Sequence, residues 1–190
     1  LSDHTCLGID IDECDITDIC AVTTTFANFG PDVVIHCAAM TAVDDCETKI
    51  DLAYKVNAIG SQNIAAVCHR LGARLIAIST DYVFPGDLDR PYDEFDSPGP
   101  RTLYGLSKLA GEDAVRRHCP DHLILRIAWL YGPGGPSFVH TMLKLGAQDG
   151  DALRIVSDQH GSPTSTDAVA GHIALFLDTP ITGTVHLTCE

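Results

Sequence analysis

The segment YGLSK sets Tyr104 and Lys108 four residues apart. On a helix that spacing projects both side chains from one face, about one turn apart. A phenol ionises near pH 10, and a cation a few ångströms away stabilises the phenolate and lowers that value toward neutrality. Such a pair can protonate an alkoxide as it forms. Tyr and Lys at this spacing also occur on ordinary solvated helix faces. What distinguishes this pair is Thr80, a hydroxyl at the end of the apolar run LIAIST and joined to Tyr104 by a loop long enough to fold over a ligand. A hydroxyl, a phenol and an ammonium could then converge on one carbonyl oxygen.

Strand-length apolar runs and amphipathic segments alternate along the chain. VVIHCAA (33–39), LIAIS (75–79), LILRI (123–127) and VHL (185–187) read as strands, with LRIV (153–156) a weaker one. Residues 48–71 carry Leu52, Val56, Ile59, Ile64, Ala65 and Val67 at helical spacing, with Gly72 as the stop. Further helices are predicted over 103–118, ending before Pro120, and over 137–145 and 167–177. This alternation implies an α/β fold with a mostly parallel sheet covered on both faces. In such sheets ligands gather outside the carboxyl ends of the strands. The polar and aromatic residues after the runs are therefore the candidates: Thr41 and Asp44, Thr80 and Asp81, Trp129 and Tyr131, Asp158 and Gln159.

A length of 190 residues suits one well-buried domain, 1–190. Apolar residues make up 45% and no run is long enough to span a bilayer, so a soluble protein without a membrane span is expected. The 12 basic against 26 acidic residues give a net charge of −14, which disfavours nucleic acid as a partner. The eight cysteines contain no C-x-x-C pair and several sit in apolar segments, so they read as reduced thiols. His118 and His122 flank Cys119, but Pro120 between them makes a surface loop the better reading than a metal cluster. No metal site is read; Mg2+ is an option the sequence does not support. The opening LSDHTCLGID lacks the features of a signal peptide and begins without Met.

With Thr80 and YGLSK in place, the sequence resembles the extended short-chain dehydrogenase/reductase family, and more narrowly its dTDP-4-dehydrorhamnose reductase branch. The motifs that carry the resemblance run in order: DITD (15–18), HCAAMTAVDDCE (36–47), Val56 with Asn57, STDYVFPG (79–86), YGLSKLAGE (104–112), LRIAWLYG (125–132) and SDQHGSPT (157–164). The resemblance implies a Rossmann-like, doubly wound parallel sheet in three layers and hydride transfer from NADPH or NADH to the C4 ketone of a nucleotide sugar. Tyr104 would deliver the proton, Thr80 would bond the same oxygen, and Asn57 would support the proton path. Lys108 would hold the nicotinamide ribose and lower the Tyr104 pKa. The cofactor would also meet Ala38, Ala39, Met40, Thr41 and Ile78, with Asp15 and Ile16 near the adenine. Asp10, at the end of a strand LGID (7–10), would meet the adenosine ribose. Thr41, Val43, Thr80, Asp81, Tyr82 and Trp129 would shape the sugar nucleotide pocket. A cytoplasmic location and a possible homodimer belong to the same expectation.

The family opens with a strand and a glycine-rich turn that hold the pyrophosphate, and this chain has no such motif. The expectation is a fragment lacking one central βα unit at its start and part of the pocket after TVHLTCE, binding NAD(P)H weakly or not at all by itself. Two alternatives stand beside the reductase. One is a non-catalytic regulatory subunit on the same scaffold, resembling the β subunit of methionine adenosyltransferase. The other is a reductase of a different nucleotide-linked keto sugar.

Overall fold

The computed structural model describes residues 4–135, 137–148 and 153–189. The first three residues of LSDHTCLGID and the last of TVHLTCE lie outside them. The strands in chain order are β1 (Val33–His36), β2 (Arg74–Thr80), β3 (His122–Ile127), β4 (Leu130–Tyr131), β5 (Thr164–Ser165) and β6 (Gly183–His186). The helices are α1 (Ile19–Phe29), α2 (Val43–Thr48), α3 (Ile50–Tyr54), α4 (Ser61–Leu71), α5 (Leu103–His118), α6 (Phe138–Gly146) and α7 (Thr166–Leu177). A π-helical segment, Lys55–Gly60, joins α3 to α4.

Two compact units are present, Leu1–Arg126 with Pro180–His186, and Ile127–Thr179 with Leu187–Glu190. The first is built on a sheet of order β1-β2-β3-β6, with β1 parallel to β2 and β3 parallel to β6. Leu75 and Ala77 of β2 and Ile124 of β3 pack against Val22 and Phe26 of α1, Ile64 and Val67 of α4, and Val115 of α5. Ile76, pointing to the opposite face, is also fully buried. Burial of both faces is why these strands read as continuous apolar runs rather than alternating ones. The second unit pairs β4 with β5 in parallel and carries α6 and α7, capped by the side chains of Ser137 and Ser165.

Helix α5 forms over the predicted span because its ends are specified. The Thr102 hydroxyl accepts the Gly105 N–H at 3.0 Å, Arg116, Arg117 and His118 fill the last turn, and Pro120 follows. Four expectations are corrected. The helix predicted over 48–71 is broken into α3, the π segment and α4, preceded by a separate α2, although Gly72 closes it in the left-handed conformation as expected. LRIV is irregular and its Leu153, Ile155 and Val156 are exposed, so its apolar side chains have no core to enter. LGID is likewise an exposed, irregular segment leading into a turn. VVIHCAA leaves the sheet after His36, because the chain beyond is held by a side chain of the π segment. Two helices, α1 and α2, have no counterpart among the predicted ones.

Candidate active site

The carboxyl end of β2 and the first turns of α5 bring the predicted hydroxyl, phenol and ammonium into one region of the first unit. Thr80 ends β2 and caps the short 3-10 turn Asp81–Val83, its hydroxyl oxygen accepting the Tyr82 N–H at 3.2 Å and donating to Asp81 Oδ1 at 3.0 Å. The Thr80 side chain lies near enough to the Tyr104 phenol to lower its pKa. Tyr82 meets Tyr104 edge to face, with ring centroids 5.5 Å apart. Val83 and Phe84 turn inward and anchor the loop.

Tyr104 and Lys108 are both buried, 9% and 8% exposed, so the solvated-face alternative does not describe them. The Lys108 Nζ donates to the Ile78 carbonyl at 2.9 Å. Burial lowers its pKa to about 8, opposed by the negative charge of Glu112. Burial pushes the Tyr104 phenol up to about 12; the neighbouring Thr80 hydroxyl pulls it down, and Asp81 adds to the rise. Desolvation dominates the Tyr104 shift, and the Lys108 ammonium is bonded to the β2 backbone. Tyr104 is accordingly a protonated donor at neutral pH. The Asp81 carboxyl is also raised, chiefly by burial.

Asn57 is fully buried and works as a clamp. Its Oδ1 accepts the Met40 N–H at 2.8 Å, while its Nδ2 donates to the Met40 carbonyl at 3.1 Å and to Ser107 Oγ at 2.9 Å. The loop Ala38, Ala39, Met40, Thr41 after β1 is thereby fixed through both backbone groups of Met40. Its two alanines carry only methyl groups, which lets a flat ring or a phosphate approach the backbone. That preformed loop, and a buried ammonium with one hydrogen bond out of three N–H groups, fit a bound dinucleotide. Asn57 is presented from the π segment, an irregularity that recurs at functional sites. Helix α5 meets this segment so closely that a Cβ at Gly111 would overlap the Asn57 carbonyl oxygen. Val43 and Met40 pack with Cys46 around Tyr104.

The remaining predicted residues are placed as follows. Asp10 is exposed in a turn, its carboxylate accepting the Ile11 N–H at 2.7 Å, and not at a strand end. Asp15 accepts the Thr17 N–H at 2.8 Å, while Ile16 packs its side chain over Gly60 and its carbonyl accepts from Asn63 at 2.9 Å. Thr41 is exposed. Trp129 belongs to the second unit, where it holds a left-handed φ of 47° and its ring lies against Gly161. All eight cysteines are free, and among the described residues no group of three or more His, Cys, Asp or Glu is arranged to hold a metal.

Residues 2–190 match the family model described as RmlD substrate binding domain. The chain belongs to this family. It is 48% identical over 171 residues to dTDP-4-dehydrorhamnose reductase of Streptomyces griseus, a match covering 90% of this chain and 56% of that protein. The chain thus spans little more than half the length of that relative. A dTDP-4-dehydrorhamnose reductase from Clostridium acetobutylicum superposes with a TM-score of 0.93 at 46% identity, over 97% of this chain and 65% of the other. One from Bacillus anthracis, solved in complex with NADP, gives 0.92 at 42% identity over 96% and 65%. The Rossmann-like α/β class with a parallel sheet is thereby established for this RmlD-family chain.

Three polar residues beside the site escaped the sequence reading. Ser107, fully buried, donates to the Tyr104 carbonyl at 2.8 Å and accepts from Asn57. Glu112 and Arg126 form a buried ion pair at 2.8 Å. Two of the three carry a signal: Glu112 continues the four-residue spacing of Tyr104 and Lys108, and Arg126 is a charge inside an apolar strand, where a partner is obligatory.

Proposed function

We propose that the full-length protein carrying this chain reduces the C4 ketone of dTDP-4-dehydro-L-rhamnose to dTDP-L-rhamnose, with NADPH or NADH as reductant, in the supply of nucleotide sugar for cell-surface polysaccharide. The observation that carries the proposal is the meeting of Thr80, Tyr104 and Lys108 where β2 leaves the sheet. The similarity to dTDP-4-dehydrorhamnose reductases supplies the substrate class. The catalytic set is Thr80, Tyr104 and Lys108, with Asn57 holding the Met40 loop. We assign Ala38 to Thr41, Ile78 and Lys108 to the cofactor's nicotinamide side, Asp10, Asp15 and Ile16 to its adenosine side, and Val43, Asp81 and Tyr82 to the sugar nucleotide. The chain then acts as one cofactor-binding domain with part of the sugar pocket.

NAD(P)H, which Lys108 and the Ala38 to Thr41 loop would hold, would supply the hydride that the sugar C4 receives. Thr80 orients the carbonyl oxygen by hydrogen bonding. As that oxygen gains charge, Tyr104 passes it the phenolic proton; an alkoxide is a stronger base than a phenolate, so a phenol with pKa about 12 still donates downhill. The Lys108 ammonium stabilises the phenolate left behind. Ketone, reduced cofactor and one proton become alcohol and oxidised cofactor. No helix among the described residues is long and apolar enough to cross a membrane, and we place the reaction in the cytoplasm.

The test is cofactor oxidation by the full-length protein with dTDP-4-dehydro-L-rhamnose. Turnover that Tyr104→Phe reduces by at least about a hundredfold, the scale of lost acid catalysis, supports the proposal. Binding of cofactor without turnover of any keto sugar nucleotide would instead favour a regulatory subunit.

A further inference from the structure

Behind the Thr80, Tyr104 and Lys108 set lies a buried polar cluster that the reaction as written does not use. Its centre is Glu112, 3% exposed, one helical turn beyond Lys108 and two beyond Tyr104 on α5. Four charge-assisted hydrogen bonds converge on its carboxylate. Oε1 accepts from Ser79 Oγ at 2.6 Å and from Arg126 Nε at 2.9 Å; Oε2 accepts from Arg126 Nη2 at 2.8 Å and from Arg116 Nη2 at 2.6 Å. Ser79 directly precedes Thr80. Arg126, on β3, also lies over the Phe84 ring at 4.9 Å, and Phe84 anchors the loop that carries Asp81 and Tyr82. Glu112 therefore ties the helix bearing the proton donor to the strand bearing the hydroxyl and, through Arg126, to the loop between them.

We propose that Glu112 is a positioning residue for the Tyr104 and Lys108 pair, locking β2 at Ser79 against α5 and supplying the buried counter-charge to the Lys108 ammonium. The charges around Lys108 single it out. From β1 and the residue after it, Lys108 faces His36 and Cys37, both neutral at physiological pH, since burial takes the imidazole down to about 3 and the thiol up. Strand β2 offers only the Ile78 carbonyl and the Ser79 hydroxyl. On α5, Glu112 is the anion, with Arg116 on its far side; β3 brings Arg126, and β6 reaches the cluster only through the Thr184 hydroxyl, which accepts from Arg116 at 3.2 Å. Burial pushes the Glu112 carboxyl up, but its bonds to Arg126, Ser79 and Arg116 outweigh this and hold it below the usual range, so the anion persists.

This inference rests on Tyr104 and Lys108 being the catalytic pair, but its test does not need turnover. In the full-length protein labelled with 13Cε-lysine, the Lys108 resonance is assigned by its loss in Lys108→Arg and followed against pH. A midpoint near 8 is expected in the parent. In Glu112→Gln it falls by about one to two pH units, the scale of an ion pair one helical turn apart at an effective dielectric constant of about 20. Glu112→Asp, which retains the charge and its Arg partners but withdraws the carboxylate, gives a smaller fall and carries the test should the Gln variant not fold. An unchanged or raised midpoint in a folded variant overturns the proposal, whatever the protein's activity.

Discussion

Replacing Lys108 by Met should make the protein more stable at neutral pH while removing the proposed reductase activity. The ammonium is nearly enclosed, and its pKa falls from 10.5 to about 8 because burial penalises the charged form. In the unfolded chain the same group keeps its ordinary value. Between about 8 and 10.5 the unfolded state therefore binds more protons than the folded one, and parent stability contributed by this group rises with pH across that window. Below it, the folded state carries the whole penalty, on the order of 3 kcal/mol at about 1.4 kcal/mol per pH unit. Met fills a similar volume without charge. Its substitution also leaves the Ile78 carbonyl without its donor, at a cost of about 1 kcal/mol. The expected net gain is roughly 2 kcal/mol at neutral pH, shrinking to nearly nothing at about pH 9.5, where most of the parent's penalty has been relieved. Urea unfolding of parent and variant at both pH values, followed by far-ultraviolet circular dichroism, measures both numbers. Other titrating groups largely cancel in the difference. A variant less stable than the parent at neutral pH, or a gain that does not narrow as the pH rises, would refute the claim that Lys108 is held charged against its environment.

Two close approaches give further tests. Gly111→Ala would drive a methyl into the Asn57 backbone carbonyl and should lower stability by about 1–3 kcal/mol in the same unfolding assay. Because Asn57 also holds Met40, the same variant should weaken cofactor binding in a fluorescence titration. Gly161→Ala would place a Cβ 2.6 Å from the Trp129 ring and force it to turn; as Trp129 is the chain's single tryptophan, its emission maximum should move without a change in far-ultraviolet circular dichroism.

Where local chemistry specified an element, the sequence displayed it. Helix α5 has a hydroxyl cap at Thr102, a basic last turn and Pro120 beyond, so its bounds needed no tertiary information. Helix α1 has the same quality of signal in the Asp18 cap, the Gly30 stop and the buried pair Val22 and Phe26, but its run of three threonines conceals a helix from propensity alone. LRIV failed for the opposite reason: its residues suit a strand, but a strand exists only where a neighbour completes its hydrogen bonds, and no local pattern reports the neighbour. The break at Lys55–Gly60 is of the same kind. Apolar spacing continues through it, yet the backbone is set by what Asn57 must reach, namely Met40 in another loop and Ser107 on another helix.

The candidate site divides along the same line. Thr80, Tyr104 and Lys108 could be proposed from type and order, because strand ends and helix faces fix where such residues point. Their acidities could not, because a pKa depends on how much water is left around the group and which charges face it across elements distant in sequence. Spacing places an ammonium one turn from a phenol; only the packed structure shows that ammonium bonded to Ile78 while the phenol is held up near 12 by burial. The same packing explains why a protein would retain a costly buried cation. In the proposed reaction, a charge already desolvated and anchored would need no reorganisation when negative charge develops on the Tyr104 oxygen, so stability lost in the resting fold would return as stabilisation of the proton-transfer step.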